Sequence, residues 1–137
     1  MSALSIVGSS RNNGERDVED FYPTPPYAVK ALLQKESFVG NIWECACGDG
    51  AISEVFKNLG FEVVSTDVIN RGYGEQLDFL KSDFVADNIV TNPPYKLALD
   101  FVLKAKKQGR KKIAMFLKTV WLESESRYAM FQDTEFP

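Results

Sequence analysis

Histidine is entirely absent from this 137-residue chain. That absence removes imidazole general bases, Ser–His triads and histidine metal sites. Cysteine is scarce: Cys45 and Cys47 stand one residue apart in an apolar segment. They form neither a disulfide framework nor a zinc pair, which needs more ligands and other spacing, and no metal site is expected. They read as free, partly buried thiols. No apolar run approaches the ~20 residues of a membrane-spanning helix. Residues 3–8 are too short for a signal-peptide core and have no basic region before them. No membrane partner and a cytoplasmic location are the expectations.

Excess charge is also lacking. The net charge of −3 does not advertise a nucleic-acid binder, but its distribution is uneven. Residues 96–118 hold eight basic side chains (Lys96, Lys104, Lys106, Lys107, Arg110, Lys111, Lys112 and Lys118) against Asp100 alone. One reading is a helix C-terminus whose basic residues complement the dipole. The other is a phosphate-facing patch, which makes DNA a partner. The length is that of one domain with a real core, and 45% hydrophobic residues suit an ordinary globular chain.

Residues 1–20 are polar and Gly/Ser/Asn-rich with no apolar period, and read as a flexible N-terminal tail. The ordered domain is expected over 21–137. Tyr22-Pro23-Thr24-Pro25-Pro26 is a rigid turn, with Thr24 placed to cap a helix over about 25–36. A buried strand over 42–46 runs into the turn Cys47-Gly48-Asp49-Gly50. A helix over 51–59 follows, with Ile52, Val55, Phe56 and Leu59 on one face and Gly60 beyond it. A strand over 61–66 ends at Asp67. A weak third strand is expected within 77–80, a fourth at 88–91 ending at Asn92, and a fifth at 112–117. Helices are expected at 97–107 and about 123–131. Strands alternating with helices through short connections predict an α/β fold with a doubly wound parallel sheet, in strand order 3-2-1-4-5.

Two constellations carry chemistry. The first is Glu44-Cys-Ala-Cys-Gly48-Asp-Gly50, at a strand end that opens a helix. A parallel sheet binds its ligand beyond the carboxyl ends of its strands, and glycines there let the backbone approach it. Asp67 ends the next strand, about twenty residues on, where an acidic side chain takes ribose hydroxyls. A nicotinamide enzyme would share these features, but the third glycine of its fingerprint is replaced by Ser53. A nucleoside ligand without phosphates fits better. A plain strand–turn–helix joint is the structural alternative.

The second is Asn92-Pro93-Pro94-Tyr95, again at a strand's carboxyl end. Two prolines forbid continued pairing and fix the carbonyls of Asn92 and Pro93. The Asn92 side-chain oxygen and the Pro93 carbonyl then accept from one NH2 group. An exocyclic amine is a poor nucleophile because its lone pair is delocalised. Two acceptors on its hydrogens favour pyramidalisation and in-line attack on a sulfonium methyl, without a strong base. Tyr95 supplies a face on which a flipped base stacks. The plain alternative is a Pro-Pro turn with Tyr95 as packing.

On these segments, with Asp20-Phe-Tyr-Pro-Thr-Pro25, Ser65-Thr-Asp67 and Leu77-Asp-Phe-Leu80, the chain resembles the S-adenosylmethionine-dependent amino-methyltransferases. It is most like phage- or prophage-type DNA N6-adenine methyltransferases of the NPPY type. The matching segments span about residues 20–120. The resemblance implies a Rossmann-like class I methyltransferase core, S-adenosyl-L-methionine as cofactor and DNA methylation as the activity. It implies that Tyr22, Pro23 and Thr24 contact the methionine part, and that Glu44, Cys45 and Gly48 line the amino-acid end and ribose. Asp67 would hold the ribose hydroxyls with Val68 against the adenine. Asp78 would accept from the cofactor's adenine amine with Phe79 beside it, although a turn or cap role for Asp78 is equally open. Asn92, Pro93, Pro94 and Tyr95 would form the catalytic site.

The chain departs from the family at its end. The family's sheet continues into an antiparallel hairpin beside strand five, and no hairpin follows here, so the core reads as C-terminally incomplete. Strand 112–117 would then present an unpaired edge, through which a homo-oligomer is conceivable. The segment Trp121-Leu-Glu-Ser-Glu-Ser-Arg127 resembles the family's substrate-side loop. Two rival functions stay open: methylation of a protein glutamine amide or an RNA base amine, and a truncated, non-catalytic remnant that binds cofactor.

Overall fold

Period-two alternation in the apolar strands sorts their side chains onto the two faces of one sheet. A computed structural model of the chain describes residues 4–9 and 23–118. Strand β1 (Leu4–Ser9) and helix α1 (Pro26–Lys35) precede strand β2 (Ile42–Glu44), helix α2 (Ala51–Asn58) and strand β3 (Val63–Asp67). The two-residue strand β4 (Glu75–Gln76), a 3-10 turn (Phe79–Lys81) and strand β5 (Ala86–Thr91) follow. A second 3-10 turn (Tyr95–Leu97), helix α3 (Ala98–Gln108) and strand β6 (Gly109–Lys118) complete the described chain. Every strand pairing is parallel, in the order β1-β6-β5-β2-β3-β4.

The expected order 3-2-1-4-5 is thus found in β4-β3-β2-β5-β6, with β1 added beyond β6. Trp43, Ile89, Ile113 and Met115 pack with α3 residues Phe101, Val102 and Ala105 on one face. Ile42, Val90, Ala114 and Phe116 pack with Val29 and Leu32 of α1 and Ile52 and Phe56 of α2 on the other. Helices cover opposite faces because the chain leaves β2 in one direction toward β3 and later runs from β5 to β6 in the other. Among the described residues no helix is long and apolar enough to cross a membrane.

Several expectations are corrected. A strand at Leu4–Ser9 lies within the stretch expected to be a tail, registering Leu4 with Ile113 and Ser9 with Lys118. The edge of strand five is therefore paired, which removes the ground for oligomerisation through it. Where the family resemblance places an antiparallel hairpin, a parallel N-terminal strand stands. The backbone groups of a ten-residue strand need a partner, and a six-residue segment is too short for its pattern to announce it. The weak third strand expected at 77–80 is instead β4 at Glu75–Gln76 followed by a 3-10 turn. Helix α1 begins after Pro25, whose backbone is extended, and no side chain caps it. A residue before proline is held out of the helical region, so Thr24 and Pro25 stay extended and Thr24 is not the cap. The helix expected at 123–131 and the segment 121–127 lie outside the described residues.

Candidate active site

The winding of the chain about the sheet reverses between the parallel neighbours β2 and β5, and the place for a ligand in such a sheet is the crevice beyond their carboxyl ends. Glu44 ends β2, Asp67 ends β3 and Thr91 ends β5. Residues far apart in sequence are hydrogen-bonded there. Asn92 Nδ2 donates to Thr24 Oγ1 at 3.0 Å, joining the proline-rich entry segment to the turn Asn92-Pro93-Pro94-Tyr95. Thr91 Oγ1 donates to Glu44 Oε2 at 2.5 Å. The Gly48 amide donates to Asp67 Oδ2 at 2.8 Å, and the Cys47 amide to the Thr66 carbonyl at 2.9 Å.

Glu44 is 1% exposed. Its Oε2 also accepts from the Ala46 amide at 3.1 Å. Burial pushes its carboxyl up to about 8; the Thr91 and Ala46 donors oppose the shift, and Asp67 and Asp49 add to it. Glu44 is therefore a neutral acid at pH 7. Burial likewise raises the Cys45 thiol well above its usual range and the Cys47 thiol to about 12, with Glu44 contributing to both. Both cysteines are free and buried, and neither is a nucleophile at neutral pH.

The glycine turn is tightly determined. Gly50 has φ of +92°, and a Cβ there would lie 2.5 Å from the Tyr73 ring. Tyr73 is fixed in turn on α2, donating to Glu54 Oε2 at 2.6 Å and accepting from Lys57 Nζ at 2.9 Å. Glu54 in the first turn of α2 complements the positive end of that helix.

Not every expected residue faces this crevice. Thr24, Glu44, Gly48, Asp67 and Asn92 are brought together by the bonds above. Both Asp67 oxygens already accept backbone amides, from Gly48 and from Ile69 at 2.9 Å, and each retains a second lone pair for a ligand hydroxyl. Val68 is 47% exposed beside it, an apolar surface at the strand end. Leu77, which sequence reasoning missed, stands next to it; its amide donates to the Asp67 carbonyl at 2.8 Å and its side chain is partly exposed. Asp78 caps the 3-10 turn by accepting from the Leu80 amide at 3.0 Å.

Phe79 departs from the expected role. Its side chain is buried in the core, edge-on to Trp43 at 5.1 Å and against Phe101 at 4.9 Å. The Cys45 side chain also belongs to that core. Pro93 is buried and Pro94 half-buried; Pro94 accepts from the Leu97 amide and so starts the turn that leads into α3. Tyr95 is half-buried and packs against the core cluster under α3. Tyr22 lies outside the described residues.

The part of the basic segment around the end of α3 and the start of β6 is displaced from the crevice, whereas Lys96 follows Tyr95 directly and Lys118 ends β6. Arg110 and Lys111 follow Gly109, which registers with Ala86 at the amino end of β5, whereas Thr91 registers with Met115. Five strand residues separate the two ends, roughly 16 Å. Arg110 lies 3.8 Å from Asp87, and Lys112 is bonded to Glu36 at 3.0 Å and to the Ser37 carbonyl at 2.7 Å. The acidic Glu44, Asp49 and Asp67 are what surround the glycine turn. No protein-family model, curated protein or solved structure was found to match the chain.

Proposed function

We propose that this chain transfers a methyl group from S-adenosylmethionine to an exocyclic amino group, with N6 of adenine in DNA as the substrate. The observation that carries the reading is the position of Asn92. It stands at the β2–β5 seam, its amide oriented by Thr24, beside the strand end whose Glu44 and glycine turn suit a nucleoside cofactor. The amide nitrogen donates to Thr24, so the oxygen is the acceptor end of the side chain. With the Pro93 carbonyl it supplies the two acceptors that a delocalised NH2 needs in order to attack a sulfonium methyl.

Charge supports the same ligand class. A turn carrying Asp49 and Asp67, with the buried Glu44 behind it, repels a pyrophosphate and attracts a sulfonium and an ammonium. The residues present fit that cofactor: Asp67 for ribose hydroxyls, Val68 and Leu77 for an apolar ring, Glu44 and the Gly48 turn for the amino-acid end. When bound, the cofactor supplies the electrophilic methyl. The protein orients the amine, holds its hydrogens and excludes water.

The amine class rests on the tetrapeptide and its placement. DNA as the carrier of that amine rests on the resemblance of the surrounding segments, since Lys106, Lys107, Arg110, Lys111 and Lys112 stand toward the other end of the sheet. Incubation with tritiated S-adenosylmethionine and, side by side, unmethylated duplex DNA, ribosomal RNA and a glutamine-bearing protein substrate separates the options. Label in N6-methyladenine of DNA is expected. Label in glutamine or RNA would replace the substrate, and cofactor binding without transfer to any of them would favour a non-catalytic binding domain.

A further inference from the structure

The turn through Asn92-Pro93-Pro94-Tyr95 has an unusual mechanical problem. Prolines at 93 and 94 remove two successive amide donors, so the backbone has little with which to fix the exit of β5. Side-chain bonds take over. One runs from Asn92 to Thr24. Another runs from Thr91, the last residue of β5, to Glu44 on the neighbouring strand. Thr91 is fully buried, so its hydroxyl needs a partner, and valine would fill the same volume without one.

The acceptor matters as much as the donor. The same oxygen, Glu44 Oε2, takes the Thr91 hydroxyl and the Ala46 amide. Ala46 leads directly into the glycine turn. One carboxyl oxygen is therefore the joint between the two halves of the site.

We propose that Thr91 is a positioning residue: through Glu44 Oε2 it ties the Asn92 turn to the glycine turn, so that occupancy of the cofactor side sets the acceptor geometry on the target side. The inference rests on the methyltransferase reading above. A cationic ligand end beside Glu44 draws charge onto its carboxyl, which strengthens the bond from Thr91 and tightens the Asn92 turn. The other ionisable groups acting on Glu44 are Asp67 at the end of β3 and Asp49 of the turn, both acidic, with the Cys45 and Cys47 thiols close by and protonated. The Thr91 bond itself favours ionised Glu44.

The test uses the full chain, S-adenosylmethionine and an adenine-containing DNA duplex. Thr91→Val should lower kcat by about 10- to 100-fold, the order expected for a misplaced acceptor, while the affinity for S-adenosylhomocysteine changes less than about threefold. Thr91→Ser should restore kcat. Any limb of the pH–rate profile that Glu44 sets should move upward in Thr91→Val and return in Thr91→Ser. Equal loss of cofactor affinity and kcat in both variants would overturn the proposal in favour of a merely structural role, as would a Thr91→Val enzyme indistinguishable from wild type. Hydrogen exchange on the wild-type chain covers the case in which Thr91→Val does not fold. Adding S-adenosylhomocysteine should slow exchange at the Asn92 and Tyr95 amides, and bound ligand without that change would overturn the coupling. A wild-type chain that binds no S-adenosyl ligand would instead overturn the methyltransferase reading, and the coupling with it.

Discussion

Replacing Glu44 by glutamine isolates the cost of a buried acid. The side chain is 1% exposed, and burial holds its carboxyl at about 8 against an ordinary 4.5. Its folded value is raised, so the native state keeps a proton that the unfolded chain gives up. The stability this contributes is complete below pH 4.5 and is lost as pH rises toward 8, at about 1.4 kcal/mol per unit. Across the window the loss is on the order of 5 kcal/mol, a large share of the 5–15 kcal/mol that holds an ordinary domain together. Glutamine keeps an acceptor for Thr91 and Ala46 but cannot ionise. Urea unfolding of wild type and Glu44→Gln at intervals from pH 5 to pH 8 should therefore give curves that converge or cross as the wild type weakens. Measurements stop at pH 8 because both buried thiols, raised in the folded state, cost stability in the same direction once unfolded cysteines begin to ionise. A constant gap between the two proteins from pH 5 to pH 8 would refute a neutral buried Glu44.

Other outcomes follow from the same geometry. Asn92→Ala should abolish methyl transfer and leave S-adenosylhomocysteine binding, read by calorimetry, within about threefold, since the residue would act on the target side; equal loss of both would mean its role is misassigned. Gly50→Ala must place a Cβ against the Tyr73 ring at a φ of +92° and should cost about 1–3 kcal/mol in denaturant unfolding, with loss of cofactor binding. Lys107→Glu with Lys111→Glu should leave transfer to a short duplex within about twofold, because these side chains are at the far end of the sheet; a large loss would restore the basic segment as a DNA contact. Cys45 and Cys47 should resist iodoacetamide at pH 7.5 in the folded chain and react on unfolding, followed by mass spectrometry.

Much of the fold was legible because the central strands are short apolar runs bounded by turn residues; Ile42 against Trp43, Ile89 against Val90 and Ile113 to Leu117 then send successive side chains to opposite faces. Turn glycines and prolines then marked most of the ends. Strand β1 was not legible, since its six residues acquire meaning only through pairing with β6, a contact more than a hundred residues away in sequence. The site was legible as motifs and not as bonds. Thr24 reads locally as a helix cap, and only the packing of α1 against the sheet shows that its hydroxyl meets Asn92. Phe79 follows an aspartate in a matching segment, yet Trp43 and Phe101 draw it into the core. Thr91 had a weak signal, a polar residue at the last position of a buried strand, whose partner on β2 no local pattern reveals.

Three of the buried polar residues, Glu44, Asn88 and Thr91, stand along the β2–β5 seam, and the seam explains them. β2 is only three residues long, and its register with β5 pairs Ile42 with Asn88 and Trp43 with Ile89. So short a ladder at the centre of a sheet leaves both ends of the seam to other bonds. At the amino end, the Asn41 amide donates to Asp87 Oδ2 and the Asp87 amide to Asn41 Oδ1. Asn88 Nδ2 adds bonds to the Val39 and Asn41 carbonyls. At the carboxyl end the corresponding work falls to Thr91 and Glu44. The two closures differ in kind. The amino end is closed by bonds between side chains and backbone groups, shared among Asn41, Asp87 and Asn88. The carboxyl end is closed by an ionisable carboxyl that also holds the glycine turn. On the methyltransferase reading, the end of the seam held by Glu44 is the end at which a cofactor and a target amine would be brought into line.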